Sequence, residues 1–364
     1  MAEACLESYR ACMTPADARA LYPVFKTRAY FNAGTNGPLA ESTVAALQKG
    51  ELEDLNTGRS GAARVDRFRD LQQQIAARVA SVIGVDPSRI AITSSTTEGC
   101  NIALAAMRIG PDDEVVTTDN EHPGLNAPLA ARGARLRIAE VLHRPAAEAF
   151  DRILALVTPK TRLIALSHVG WLNGHVMPVI ELKRATGLPM LVDGAQSAGA
   201  IPVEAGEVDF YTVSCQKWLC APEGTGALYI SDPGRYEPGL GGMNVEGAQR
   251  FQIVHHSLPT LEAWVTALDQ HPGWRYERAK QMAALVRLRV GEKFELTTDP
   301  DQSTMVSFKV EGDPAAITAR LAERGVVVRD LPGLQWVRVS CGYWNDESDV
   351  DRLMHALTAT GSSS

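Results

Sequence analysis

Two stretches, Met190-Leu-Val-Asp193-Gly-Ala-Gln196-Ser197 and Phe210-Tyr-Thr-Val213-Ser214-Cys-Gln216-Lys217-Trp218, decide the fold. Each is a short apolar run that ends abruptly in polar residues. Runs of roughly four to six apolar residues suit strands covered by helices on both faces, because neither face then needs a polar residue. Working outward, Arg89–Thr93, Glu114–Thr118, Leu136–Glu140, Leu163–Ser167 and Ala227–Ile230 have the same character, with helical stretches between most of them. The alternation predicts an α/β fold, with a large domain built on a mainly parallel seven-stranded sheet between helices. Gly-Pro-Asp at 110–112 and Thr-Pro-Lys at 158–160 supply turns between the runs.

After Pro238-Gly-Leu-Gly-Gly242 the pattern changes. A long helical region over Leu258–Val290 precedes Met305–Val310, a helix opened by Asp313-Pro314, short runs at Val326–Val328 and Trp336–Val339, and a helix from Glu347. Asp as N-cap with Pro at the first helical position is a sound start signal. The expected organisation is an N-terminal arm (1–25) packing with the small domain, a large domain (26–255) and a smaller C-terminal α+β domain (256–364). The apolar-free tail Gly361–Ser364 is expected to fray.

The chain has 364 residues, 36 basic and 43 acidic, for a net charge of −7. Such a surface repels a polyphosphate, so no nucleic-acid partner is expected. No stretch reaches the roughly 18 apolar residues of a membrane span, and the N-terminus lacks a signal-peptide pattern, so neither membrane association nor secretion is expected. Six scattered cysteines without a Cys-x-x-Cys pair suit a reducing compartment, and a cytoplasmic location follows.

An apolar strand ending in Asp193 places a carboxylate at the carboxyl edge of the sheet, where open α/β sheets bind ligands. Lys217, after the next apolar strand, reaches the same edge. An acid and an amine at neighbouring strand ends suit pyridoxal phosphate, the lysine forming the Schiff base and the acid keeping the ring nitrogen protonated. Thr93-Ser-Ser-Thr96-Thr97-Glu-Gly99 lies between a strand and an apolar helical stretch, where hydroxyls and free amides form an anion site for the cofactor phosphate. His122, in Asp119-Asn-Glu-His122-Pro-Gly124, is a candidate to stack on the ring. No metal site is expected.

Taken in order, Ser-Thr-Thr-Glu-Gly (95–99), Glu-His-Pro (121–123), Asp-Gly-Ala-Gln-Ser (193–197), Lys-Trp-Leu-Cys-Ala-Pro-Glu-Gly (217–224) and Val-Arg-Val-Ser (337–340) resemble the class V aminotransferase family. The resemblance runs from Tyr30-Phe-Asn-Ala-Gly34 to about Leu353. It implies a fold-type-I pyridoxal-phosphate enzyme acting on an α-amino acid. By resemblance Lys217 is the Schiff-base lysine, Asp193 pairs with the pyridine nitrogen, Gln196 faces the ring hydroxyl and His122 stacks. Thr96, Thr97, Ser214 and Gln216 fall on phosphate-side positions. Arg338 falls where the substrate α-carboxylate is held, with Arg329 as a second contact.

Within the family the closest resemblance is to cysteine/cystine C–S lyases. Desulfurases carry a nucleophilic cysteine on a loop before the carboxylate-binding arginine, whereas Val328–Arg338 is short and free of cysteine. The expected reaction is therefore β-elimination from cysteine, cystine or an S-substituted cysteine. An aminotransferase is the alternative, because Gln216 before the lysine looks more like alanine-glyoxylate aminotransferases. An epimerase, or a non-catalytic relative that kept the fold, are the remaining readings. Trp171 and Leu172 stand where relatives place a contacting asparagine, and Asn173 is the candidate substitute. The resemblance further implies a homodimer in which the Pro222–Thr225 loop and the 239–242 segment contribute to the neighbouring phosphate site. Thr225 is available there, while Glu223 occupies the register in which relatives carry threonine.

Overall fold

All seven apolar runs form strands of one sheet in the computed structural model, which describes residues 12–242 and 245–360. The first eleven residues of the arm and the Gly361–Ser364 tail lie outside the described residues. The strands are β2 (Ile90–Thr93), β3 (Glu114–Thr118), β4 (Arg135–Ala139), β5 (Thr161–Ser167), β6 (Met190–Asp193), β7 (Phe210–Ser214) and β8 (Gly226–Ile230), a short β1 (Ala29–Tyr30) preceding them. Their spatial order is β2-β8-β7-β6-β5-β3-β4. Only β8 runs against its neighbours.

The continuous apolar character of these strands has a simple cause. Side chains alternate across a strand, and here both faces are covered. Met190 and Val192 of β6 belong to a core shared with the helices Ala62–Ile83, Val179–Thr186 and Leu258–Leu268, whereas Leu191 belongs to a second core shared with Thr96–Ala106 and Pro123–Ala131. Val116 and Val115, and Ile164 and Leu163, divide the same way.

The expected helix over Leu258–Val290 is two helices, Leu258–Leu268 and Arg275–Gly291. The break falls at His271-Pro272-Gly273, where proline removes an amide donor and glycine favours a bend. The C-terminal part contains β9 (Met305–Lys309), the helix Pro314–Glu323 capped by Asp313, β10 (Val326–Val327), β11 (Arg329–Asp330), β12 (Trp336–Ser340) and the helix Glu347–Thr360. The expected strand at 326–328 is shorter, β10 covering Val326–Val327, and a second pairing begins just past the run at Arg329. β10 pairs in parallel with β1, and β11 joins β12 and β9 in an antiparallel sheet. Ala29 and Phe31 thus pack into the small-domain core beside Phe308, Val337 and Leu353.

The segment before β1 lies against the same part of the molecule. Arg19 binds the buried Asp349 through Nη1 and Nη2 at 2.6 and 2.9 Å, and the Tyr22 and Tyr343 hydroxyls meet at 2.7 Å. Among the described residues no helix is long and apolar enough to cross a membrane.

Candidate active site

Because β2, β3, β5, β6 and β7 run in one direction, the loops after all five open at one edge of the sheet. Those loops carry Thr96 and Thr97, His122, Trp171, Gln196, and Gln216 with Lys217. Asp193 ends β6 and Ser214 ends β7, both buried.

Asp193 is anchored through Oδ1, which accepts from the Ala195 amide at 2.9 Å and faces the Thr212 hydroxyl at 3.4 Å. The next residue must be glycine: a Cβ on Gly194 would lie 2.1 Å from the Tyr211 ring and 2.4 Å from the Thr212 carbonyl oxygen. Gln196 is buried with both ends of its amide in use. Its Nε2 donates to the Gly34 carbonyl at 2.8 Å and its Oε1 accepts from Trp218 Nε1 at 3.0 Å.

Burial of the Lys217 amine disfavours its charged form and Arg338 adds repulsion, while Asp193 pulls the other way; the amine falls to about 8. His122 caps the helix Pro123–Ala131, its Nδ1 accepting from the Gly124 amide at 3.0 Å. Burial, with Lys217 and Arg338 nearby, lowers its pKa, which favours a neutral ring. The ring meets Trp171 edge to face, with centroids 5.0 Å apart.

Thr96 and Thr97 open the helix Thr96–Ala106, capped by Ser95, whose hydroxyl accepts from the Glu98 amide. That helix lies directly on the sheet, since a Cβ on Gly99 would approach Thr212 Cγ2 to 2.9 Å. Its first-turn amides therefore face the same edge as Asp193.

Arg338 lies on β12, 2% exposed. Its Nη1 donates to the Trp171 carbonyl at 2.7 Å and its Nη2 is 3.5 Å from Thr35 Oγ1, while Nε has no partner. The guanidinium fits only because residue 34 is glycine, where a Cβ would come within 2.8 Å of Nη2. Burial and the nearby Arg329 lower its pKa to about 10. Trp171 Nε1 and Ser340 Oγ are likewise buried without a partner.

Two residues have other employment than the one expected. Asn173 is fully buried, its Oδ1 accepting from Asn120 Nδ2 and the His175 amide and its Nδ2 donating to the Leu142 carbonyl, so its amide ties its own loop to those after β3 and β4. In this structure it braces those loops. Gln216 donates from Nε2 to Asn36 Oδ1 at 3.1 Å and accepts from the Gly224 amide at 3.0 Å, while Asn36 Nδ2 binds the exposed Glu223 at 2.8 Å. Thr225 is buried and gives its hydroxyl hydrogen to the Pro222 carbonyl.

A buried carboxylate, a buried amine and a helix N-terminus at one sheet edge match the ring nitrogen, aldehyde and phosphate of pyridoxal phosphate. The unpaired arginine matches an amino-acid carboxylate. Residues 29–259 match the family described as Aminotransferase class-V. The chain belongs to that family. Its class V relatives include the isopenicillin N epimerase of Streptomyces clavuligerus, 28% identical over 77% of this chain and 82% of the relative. Another is the cysteine desulfurase CsdA of Escherichia coli (strain K12), 26% identical over 94% of this chain and 96% of the relative. Among solved structures, the cystine C–S lyase C-DES in complex with its product cysteine persulfide superposes with a TM-score of 0.85, at 28% identity over 92% of this chain and 98% of that one. A C-DES variant carries glycine covalently linked to its PLP cofactor, at 27% identity and a TM-score of 0.83 over 93% of this chain and 98% of that one.

Two features of the site carry no signal in residue type or spacing: Glu121, a buried carboxylate one residue before His122, and the backbone carbonyl of Trp171 that holds Arg338. Glu121 lies within Asp119–Gly124, but nothing in a sequence marks a glutamate as buried.

Proposed function

We propose that this class V protein uses pyridoxal phosphate to cleave the Cβ–S bond of an S-substituted cysteine by β-elimination, releasing a thiol, pyruvate and ammonium. The observation that carries this reading is the hairpin from Arg329 to Arg338. Where resembling desulfurases place a nucleophilic cysteine, Leu331 and Trp336 are buried against Leu172, with Trp171 and Leu334 packed alongside. The buried thiols of Cys100, Cys215, Cys220 and Cys341 are all pushed up by burial, the reverse of what a sulfur-accepting thiolate needs.

When bound, the cofactor supplies an aldehyde for a lysine amine and a ring that accepts the electrons of the Cα–H bond. Lys217 provides that amine: with its pKa near 8, about one-tenth is neutral and nucleophilic at pH 7. The same nitrogen acts as general base on the Cα proton. Asp193 would pair with the ring nitrogen, His122 would cover the ring face, and Thr96, Thr97 and Ser214 would hold the phosphate. Arg338, with Arg329 opposite, holds the substrate carboxylate. Trp171, Leu331 and Trp336 form an apolar wall beside Arg338 that suits an apolar group on the substrate sulfur.

The aminotransferase reading rested on Gln216. Its amide is occupied by Asn36 and Gly224, so its identity speaks to loop bracing more than to the reaction. Incubation with a panel of S-substituted cysteines and no 2-oxo acid should yield pyruvate and thiol in equal amounts. Amino transfer that requires a 2-oxo acid, or inversion at Cα without pyruvate, would refute elimination.

The proposal includes a homodimer. Only Thr43 and Gly50 are buried on the 17-residue helix Glu41–Thr57, while Leu52 and Leu55 are 57% and 78% exposed, a surface suited to a second copy. An active monomer in sedimentation would end that part. The five described cysteines are unpaired, which suits the reducing cytoplasm.

A further inference from the structure

Glu121 has no part in the chemistry above, yet it is built into the same edge of the sheet. It is 5% exposed. Its Oε1 accepts from the Thr118 hydroxyl at 2.6 Å, and its Oε2 accepts from the Ser167 amide at 2.8 Å and the Ser167 hydroxyl at 2.6 Å. Ser167 ends β5 and stands in register with Asp193 on β6. One carboxyl group therefore ties the end of β3, where the chain turns to present His122, to the strand beside Asp193.

The groups that act on it directly include no cation; Lys217 stands one step farther out, where it feels Asp193 and His122, and Arg338 acts on His122. On β6 it feels Asp193, and on the helix Thr96–Ala106 the Cys100 thiol feels both carboxylates. His122, next in the chain, uses Nδ1 as an acceptor and is shifted toward its neutral form. Thr118 and Ser167 contribute neutral donors. Burial, reinforced by Asp193, outweighs those donors and raises the Glu121 carboxyl to about 7. Two buried acids stand one strand apart and Lys217 answers Asp193 alone, so the pair still favours a cationic ligand. Asp193 alone would suffice to pair with a pyridinium; Glu121 is a second negative charge in reserve.

We propose that Glu121 is a positioning residue that gives up its proton when a pyridinium ring settles against Asp193, so that two carboxylates hold that ring cationic. The inference rests on the cofactor reading above. The proton leaves to solvent, and no other bond changes.

The test is calorimetric titration of the cofactor-free full-length protein with pyridoxal phosphate, in buffers of different ionisation enthalpy, from pH 6 to pH 9. The wild type is compared with Glu121→Gln, whose amide can still accept from Ser167 and donate to the Thr118 oxygen. Near pH 7 the wild type should release about half a proton more per cofactor than the variant. The difference should fade by pH 9, where Glu121 is ionised before binding. Equal proton counts across the range would overturn the proposal while leaving the cofactor reading intact, whereas no binding by the wild type would overturn both. Should Glu121→Gln fail to fold, Ser167→Ala serves instead. It removes a donor to the carboxylate and should move the maximum of proton release to higher pH, and an unmoved maximum would refute the role.

Discussion

Arg329 and Arg338 stand directly opposite each other across β11 and β12. Opposed residues of an antiparallel pair project from the same face, so the two guanidinium groups are neighbours on one surface. Like charges placed this way destabilise a bare sheet, and neither has an acidic partner among the described residues. Such a pair makes sense where a ligand brings the anion.

Arg338→Lys keeps the charge but loses the planar fork, so substrate KM should rise about tenfold to a hundredfold, the loss of about 1.4 to 2.8 kcal/mol expected for a charged hydrogen bond. Thermal unfolding of the substrate-free protein should barely change. A large loss of stability with unchanged KM would show that the arginine serves the fold and not the substrate.

Lys217 makes a pH prediction whose sign follows from its lowered pKa. The amine is reactive when neutral, and the neutral fraction grows with pH up to about 8. The rate at which cofactor-free protein captures pyridoxal phosphate should therefore climb up to about tenfold per pH unit below 8 and level off above it. Lys217→Ala should abolish borohydride labelling altogether. Labelling at another lysine, or a rate still climbing steeply above pH 9, would contradict the assignment.

The seven strands of the sheet were legible because burial on both faces leaves a continuous apolar run, a signal that needs no knowledge of partners. The small domain was less so. Of the apolar run Val326–Val328 only two residues pair, their two-residue partner β1 lies far away in the chain, and the next pairing is made by the charged Arg329 and Asp330. The placement of Asp193 and Lys217 at the ends of neighbouring strands was legible from the apolar runs before them. The bonding of Asn173 was not legible, because residue type and spacing do not reveal where an amide spends its hydrogen bonds. Glu121 was passed over because only the folded structure buries it against Ser167.

Glu121 also makes a stability prediction for the cofactor-free protein. Its folded pKa, about 7, lies above its unfolded value, so its contribution is full below about pH 4.5 and is lost as pH rises through 7. Wild-type stability relative to Glu121→Gln should thus fall by up to about 1.4 kcal/mol per pH unit in that window. Urea unfolding of both proteins at pH 5 and 7 measures this. A gap that does not change with pH would show that the carboxyl is ionised throughout.

Trp171 offers the cleanest separation of substrate choice from catalysis. Its backbone carbonyl, not its ring, holds Arg338, so Trp171→Ala leaves that hydrogen bond available. Its ring touches His122 edge to face and belongs to the apolar group with Leu172, Leu331 and Trp336, and its indole N–H is buried without a partner. If this wall receives the group on the substrate sulfur, removing it should penalise large apolar substituents more than small ones. An edge contact of about 0.5–1.5 kcal/mol plus lost apolar burial predicts that the kcat/KM ratio for S-benzylcysteine over S-methylcysteine falls about tenfold or more. The ratio is the informative quantity, because any disturbance of His122 lowers both rates together. An unchanged ratio with both rates reduced would make Trp171 a support for His122 and would place the substrate's sulfur group elsewhere.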